Sequence, residues 1–274
     1  MAGRNVAGRY LVWCGIAISL LDAGRALGQD DSEGLATQLA NPLAALISVP
    51  FQGNYNGGIG PEEDGEQYYV NVQPVVPITL NEDWNLISRT ILPIIDQNDI
   101  FPGAGSQFGL GDTTQSLFFS PSHTVNGITW GIGPVFLIPT ATNDLLGADK
   151  WGIGPTAVIL WQGSGWTVGA LANQIWSVAG DNNEPDISSM FLQPFVSYTT
   201  KDAWTFTLNT ESTYDWKTEE WSVPINASLA KLFKMGEQPM QIQGGVRYWA
   251  DSPEDIGPTG WGARLAVIFL FPRR

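Results

Sequence analysis

At 274 residues the chain can form one large domain or a single closed sheet. It carries 12 Trp, 12 Phe, 7 Tyr and 31 Gly beside only 15% charged residues, below the roughly 25% usual in soluble domains, which points toward membrane contact. A formal net charge of −14 removes nucleic acid from the expected partners. The mean hydropathy of −0.02 is too polar for a helical bundle in lipid but suits strands that are apolar at alternate positions only.

Arg4 and Arg9 precede an apolar stretch at 11–21, and Ala26-Leu27-Gly28 supplies small residues at the places a signal peptidase reads. Residues 1–28 are therefore expected to be a cleavable signal peptide, far shorter in its apolar run than the roughly 20 residues of a spanning helix. Cys14, the one cysteine, falls inside it, so the mature chain would hold no disulfide or thiolate metal site. Cleavage also removes Arg4, Arg9, Arg25 and Asp22, leaving 26 acidic and 10 basic residues, a net −16.

The next segment, 29–45, places Leu35, Leu39, Leu43 and, just beyond, Leu46 at helical spacing around an Asn41-Pro42 break. A short periplasmic helix is expected, either plugging or rimming a lumen or packed at one end of it.

From residue 46 to the end the pattern changes to stretches of 9 to 13 residues rich in β-branched and aromatic types, separated by Gly, Asn, Asp and Pro. Twelve strands are expected, at 46–55, 68–80, 84–95, 112–120, 129–139, 151–162, 166–176, 187–199, 204–214, 221–233, 239–249 and 261–271. The odd-numbered connections are long and the even-numbered ones short, as in a barrel inserted from the periplasm. With Asp112 included, the long connections carry 18 of the 26 acidic residues, which puts the negative charge on one rim.

Within 204–214, Trp204, Phe206 and Leu208 alternate with Thr205, Thr207 and Asn209, one oily face against one wet face. Tryptophans gather at strand ends, Trp84, Trp130, Trp166 and Trp204 near the short turns and Trp151, Trp176, Trp221, Trp249 and Trp261 near the long loops, resembling two interfacial girdles. Pro74, Pro77, Pro93, Pro134, Pro155, Pro194 and Pro224 oppose this reading, because each removes a ladder donor; bulges or strand ends are required there. The repeat WGIGP, at 130–134 and 151–155, is expected on neighbouring strands.

An ionised side chain facing mid-bilayer lipid costs about 2–4 kcal/mol, so charges inside strands must face the lumen or a rim. Arg89, Glu211, Arg247 and Arg264 are the candidates for a luminal charge constriction, with Asn71, Gln73, Gln193, Asn226, Gln241 and Gln243 as neutral lining. The competing reading is an ion network that only fills a narrow barrel. His123, the single histidine, falls in a periplasmic turn, a poor place for catalysis. The acidic loops lack the spacing of a calcium loop, and no cofactor or metal is expected.

Several stretches carry a family likeness: NPLAALISVPFQGNYN at 41–56, NEDWNLISRTILPII at 81–95, FGLGDTTQSLFFSP at 108–121, WGIGPVFLIPTAT at 130–142, LGADKWGIGP at 146–155, GALANQIWSVAGD at 169–181, FLQPFVSY at 191–198 and FLFP at 269–272. In these the chain resembles a little-characterised family of Gram-negative outer-membrane proteins, labelled only transporter or, misleadingly, neuromedin U, and related to barrels encoded with phenol-degradation pathways. The resemblance implies an outer-membrane barrel that takes up small or hydrophobic compounds. Phe269 and Phe271 would serve as the C-terminal assembly signal, followed here by Pro272-Arg273-Arg274.

Together these readings predict an all-β, closed antiparallel transmembrane β-barrel of about 12 strands over 46–274, monomeric, with a short N-terminal helix and both termini periplasmic. Expected partners are outer-membrane lipid and lipopolysaccharide, periplasmic chaperones, the barrel assembly machinery and a small-molecule solute. The expected role is a passive channel rather than an enzyme. An uptake barrel for hydrophobic or aromatic compounds and a non-conducting structural or surface-interaction barrel stand as alternatives.

Overall fold

A computed structural model describes residues 29–272; the expected signal peptide, and Arg273 and Arg274 after the last strand, lie outside the described residues. Helix α1 (Gln29–Leu39) comes first. Fifteen strands follow: β1 (Ile47–Ile59), β2 (Gly65–Val72), β3 (Val75–Thr79), β4 (Trp84–Asn98), β5 (Ser106–Leu110), β6 (Thr113–Pro121), β7 (Ile128–Ile138) and β8 (Lys150–Gly163). The remainder are β9 (Trp166–Gly180), β10 (Ser188–Thr199), β11 (Trp204–Thr210), β12 (Ser212–Asp215), β13 (Glu220–Met235), β14 (Gln238–Asp251) and β15 (Trp261–Phe271).

Three pairs of these, β2 with β3, β5 with β6 and β11 with β12, each form one interrupted stave, so the wall has twelve staves. The ring closes antiparallel, with Ile47 opposite Phe271 and Tyr55 opposite Ala263. Closure satisfies the backbone without an edge, which is what hydrocarbon demands of any spanning sheet. The two-residue alternation of β8 and β15 then sends oily side chains outward and turns small or polar ones inward, with Val158, Leu160, Ile268 and Leu270 the inward apolar exceptions near the short-turn end. Such a sheet is built to stand in a membrane.

Connections on one side have 4, 6, 2, 4 and 2 residues and on the other 5, 7, 11, 7, 4 and 9. The outer ones are shorter than the sequence suggests because the hairpins stay paired past the oily belt. Asn56 still faces Gln67, and Asp96 to Asn98 still pair with Ser106 to Phe108. The tightest inner turn holds Ser164 at φ 50° and Gly165 at φ 82°, the two positive values a type I′ hairpin requires.

The prolines mark the interruptions. Pro74 separates β2 from β3, and Pro93 stands opposite the one-residue slip between β5 and β6. The break at Glu211 lies between Pro194 on β10 and Pro224 on β13, neither of which has an N–H to donate. In the WGIGP repeats Pro134 faces Pro155 directly. Beside that pair the ladder skips Leu117 and Phe118 on one flank, and Gln174 and Ile175 on the other.

Candidate functional site

The N-terminal segment enters the lumen. Ala36 and Leu46 are buried with Ala203, Leu232, Ile268 and Leu270, while Leu43 crosses to Ile87, Phe118, Val158, Leu160 and Leu171 on the far wall. Gly131, from the first WGIGP, leaves the space that Leu43 fills, since a Cβ there would meet both Leu43 methyls at 3.1 and 3.2 Å. Polar contacts fix the segment as well. Gln162 on β8 accepts from Asn41 Nδ2 at 3.0 Å and donates to the Thr37 carbonyl at 2.9 Å, closing a carbonyl that the helix end leaves open. Residues 29–46 therefore plug the half of the barrel nearer the short turns.

Farther out, the structure brings Glu211, Arg247 and Arg264 together. Arg264 donates Nη1 to Glu211 Oε1 at 2.9 Å and Nη2 to Oε2 at 2.7 Å, and Arg247 donates Nη2 to Oε2 at 2.9 Å. Each arginine is then completed by the wall. Arg264 Nε donates to Asn54 Oδ1 at 2.8 Å; Arg247 donates Nε to Asn226 at 2.8 Å and Nη1 to the Tyr69 hydroxyl at 2.7 Å. Both guanidinium groups are almost wholly buried, 2% and 8% exposed as residues. Fork-to-carboxylate bonding of this kind is the geometry that makes a buried ion pair tolerable.

Arg89 is the fourth candidate and is differently placed. It interacts electrostatically with Glu211 but forms no ion pair among the described residues; Nη2 donates to Gln73 Oε1 at a long 3.3 Å. The cluster thus sets three guanidinium groups against one carboxylate. Between it and the plug lies a cavity of about 250 Å3 that Arg89, Gln73, Gln193, Gln241 and Gln243 help to line. Asn71 and Asn226 also lie on luminal positions.

Trp84 and Trp130 meet edge to face at 5.9 Å near the short turns, while Trp151, Trp166, Trp176 and Trp261 are exposed outward. Trp204 lies under Lys231 Nζ, and Trp221 stacks on Tyr214. Trp249 departs from the expected outer girdle. It turns into the lumen, where its indole N–H donates to Asn56 and its ring lies 5.4 Å from the Arg247 guanidinium. Phe269 packs edge-on against Phe51, and Phe271 pairs with Ile47 where the ring closes.

Sequence reasoning missed Gln162 as the plug's anchor and Asn54, Asn56 and Tyr69 as partners of the arginines. His123 is exposed in the turn after β6, and no metal-ligating group of three or more side chains converges among the described residues.

A closed barrel with an oily outer face and a plugged, arginine-lined lumen defines the class: a transmembrane β-barrel of the outer-membrane type. The family model described as "Putative MetA-pathway of phenol degradation" matches residues 56–251, and the chain belongs to that family. In fold it is similar to the COG4313 outer membrane channel from Pseudomonas putida F1, with a TM-score of 0.63 at 16% identity over 82% of this chain and 94% of that one. More distant are outer membrane phospholipase A from Escherichia coli (TM-score 0.44, 12% identity, 86% and 98% covered) and the KdgM porin (TM-score 0.43, 10% identity, 83% and 100% covered). Comparison with curated proteins finds no matching sequence.

Proposed function

We propose that this barrel passes small solutes across the outer membrane through a lumen filtered by the Glu211–Arg247–Arg264 cluster and throttled by residues 29–46. The observation that carries the reading is the luminal cavity above the plug, lined on its polar side by amides, hydroxyls and the Arg89 guanidinium, whose charge also faces Glu211. Mechanism is diffusion: contacts in the low-dielectric lumen act on the passing solute without covalent chemistry. Three guanidinium groups against one carboxylate favour anions at the constriction. The test is single-channel recording and liposome swelling with the mature chain and with a deletion of residues 29–44. Conductance steps that grow severalfold on deletion support the reading; silence in both proteins contradicts it.

A second reading, entry of lipid-partitioning compounds through the wall, is favoured by the seam beside Pro134 and Pro155. Outside that seam lies a lipid-facing groove lined by Trp84, Phe119, Trp130, Ile132 and Met190. Thr156 and Asn173 are register partners across it, so Thr156→Cys with Asn173→Cys, oxidised, would pin it. Loss of apolar uptake with chloride current intact would support this route, and unchanged uptake would oppose it.

A further inference from the structure

Resting on the channel reading above, we propose that the luminal cavity is a binding site for a small organic monocarboxylate, with Arg89 taking the carboxylate and the cavity wall taking a compact apolar body.

The argument begins with the amides between two arginines. Gln73 accepts from Arg89 and donates its own Nε2 to Gln52 Oε1 at 2.8 Å. Turning the Gln52 amide over brings its oxygen to within 2.7–3.1 Å of the Arg264 guanidinium, yet then sets its NH2 against the NH2 of Gln73 at 2.8 Å. Turning Gln73 as well moves the mismatch onto Arg89. A row of amides has an oxygen at one end only, so it cannot serve a donor-only cation at both ends. Arg264, held by Glu211 and Asn54 as well, sits so close to Gln52 that it takes the oxygen, and the mismatch passes along the row away from it. Arg89 carries the deficit.

A guanidinium held in the lumen with one long, neutral contact has most of its five donors free for a planar anion, and a carboxylate fits that fork with two parallel bonds. Neighbouring Gln193, Gln241, Gln243 and Asn209 offer further donors around the cavity. The rest of the wall is different in kind: Val75, Leu171, Phe195 and Ile268 from the strands, and Leu39 and Leu46 from the plug. An inorganic anion would leave that apolar surface wet, whereas an amphipathic acid covers it. At about 250 Å3 the space falls just below the usual range of ligand pockets, roughly 300–1,000 Å3, which selects a body the size of one ring over a long acyl chain.

Calorimetric titration of the purified mature barrel in detergent with benzoate, benzyl alcohol, benzylammonium and sulfate tests this. Benzoate is expected to bind about tenfold or more tighter than benzyl alcohol, the scale of one charge-assisted fork. Benzylammonium and sulfate are expected to bind weakest. Arg89→Gln should bring benzoate down to the alcohol, Arg89→Lys should fall between, and Lys231→Gln, on the outer wall, should leave the ratio unchanged. Equal affinity of acid and alcohol for the wild-type protein overturns the proposal without any variant, as does an Arg89→Gln protein that still prefers the acid. Sulfate binding as tight as benzoate overturns the apolar half of it. Because binding is read without current, benzoate recognition by a barrel that never conducts would sink the channel reading alone.

Discussion

Glu211 and Arg264 meet through two parallel hydrogen bonds, 2.9 and 2.7 Å long, at a point where the sheet itself is interrupted. The interruption has a cause in the wall: Pro194 and Pro224 stand across from Thr210 and Glu211 on the two neighbouring strands, and neither has an N–H to give the ladder.

Glu211→Gln removes the one carboxylate that two buried arginines share. Breaking a buried pair from one side costs about 3–5 kcal/mol, and the partial exposure of Glu211, 24% of its side chain, puts the expected loss near the lower figure. Urea unfolding in lipid vesicles should show that loss, together with a rise in anion selectivity of whatever folds.

Gln162→Leu should loosen the plug and leave the wall standing. It deletes the bonds to Asn41 and Thr37 on the plug and one to Thr167 Oγ1 on the wall, where the backbone ladder remains, each worth about 0.5–1.5 kcal/mol. Noisier, larger conductance steps with an unchanged unfolding midpoint of the barrel are expected; a drop in the midpoint without a change in current would mean that Gln162 serves the wall instead.

Lipid-facing positions should resist charge. Leu208 is 51% exposed on the outer face, so Leu208→Arg should cost about 2–4 kcal/mol in vesicles, depending on its depth. A loss near zero would mean that this face does not contact hydrocarbon.

Gly154 admits no side chain. A Cβ there would stand 1.7 Å from the Gln174 carbonyl oxygen, and backbone cannot retreat as a flexible side chain can. Gly154→Ala should therefore widen the β8–β9 seam or block folding, seen as loss of the heat-dependent gel shift of a folded barrel.

The twelve staves, their order and the inward charges were legible because the two-residue alternation and the Gly, Asn and Asp turns are local signals. Strand ends on the outer side were not, since both faces of a hairpin above the membrane are wet and alternation fades there. Trp249 is instructive: it lies two residues from Arg247, so simple alternation already assigned it to the lumen, against its grouping with the girdle. Helical spacing revealed that 29–46 would be ordered, but its place inside the barrel depends on Gln162 and Gly131, more than 85 residues away in sequence. Such pairing has no local trace. The partners of the arginines, Asn54, Asn56 and Tyr69, were hidden for the same reason: closure of the ring brings the first staves to the last.

The acidic outer hairpins oppose the cationic lumen, and salt separates them. Rim charges are solvated and fade beyond about 10 Å at 0.1 M salt, whereas the luminal cluster acts at contact. Anion preference should thus strengthen as salt rises.

Reversal potential under a potassium chloride gradient, read on the mature barrel and on Arg247→Gln with Arg264→Gln, bears most directly on the role given to the luminal arginines. The wild-type barrel should be anion-selective at 1 M salt and the double variant close to unselective. A cation-selective wild-type barrel, or a variant with the same reversal potential, would contradict the account.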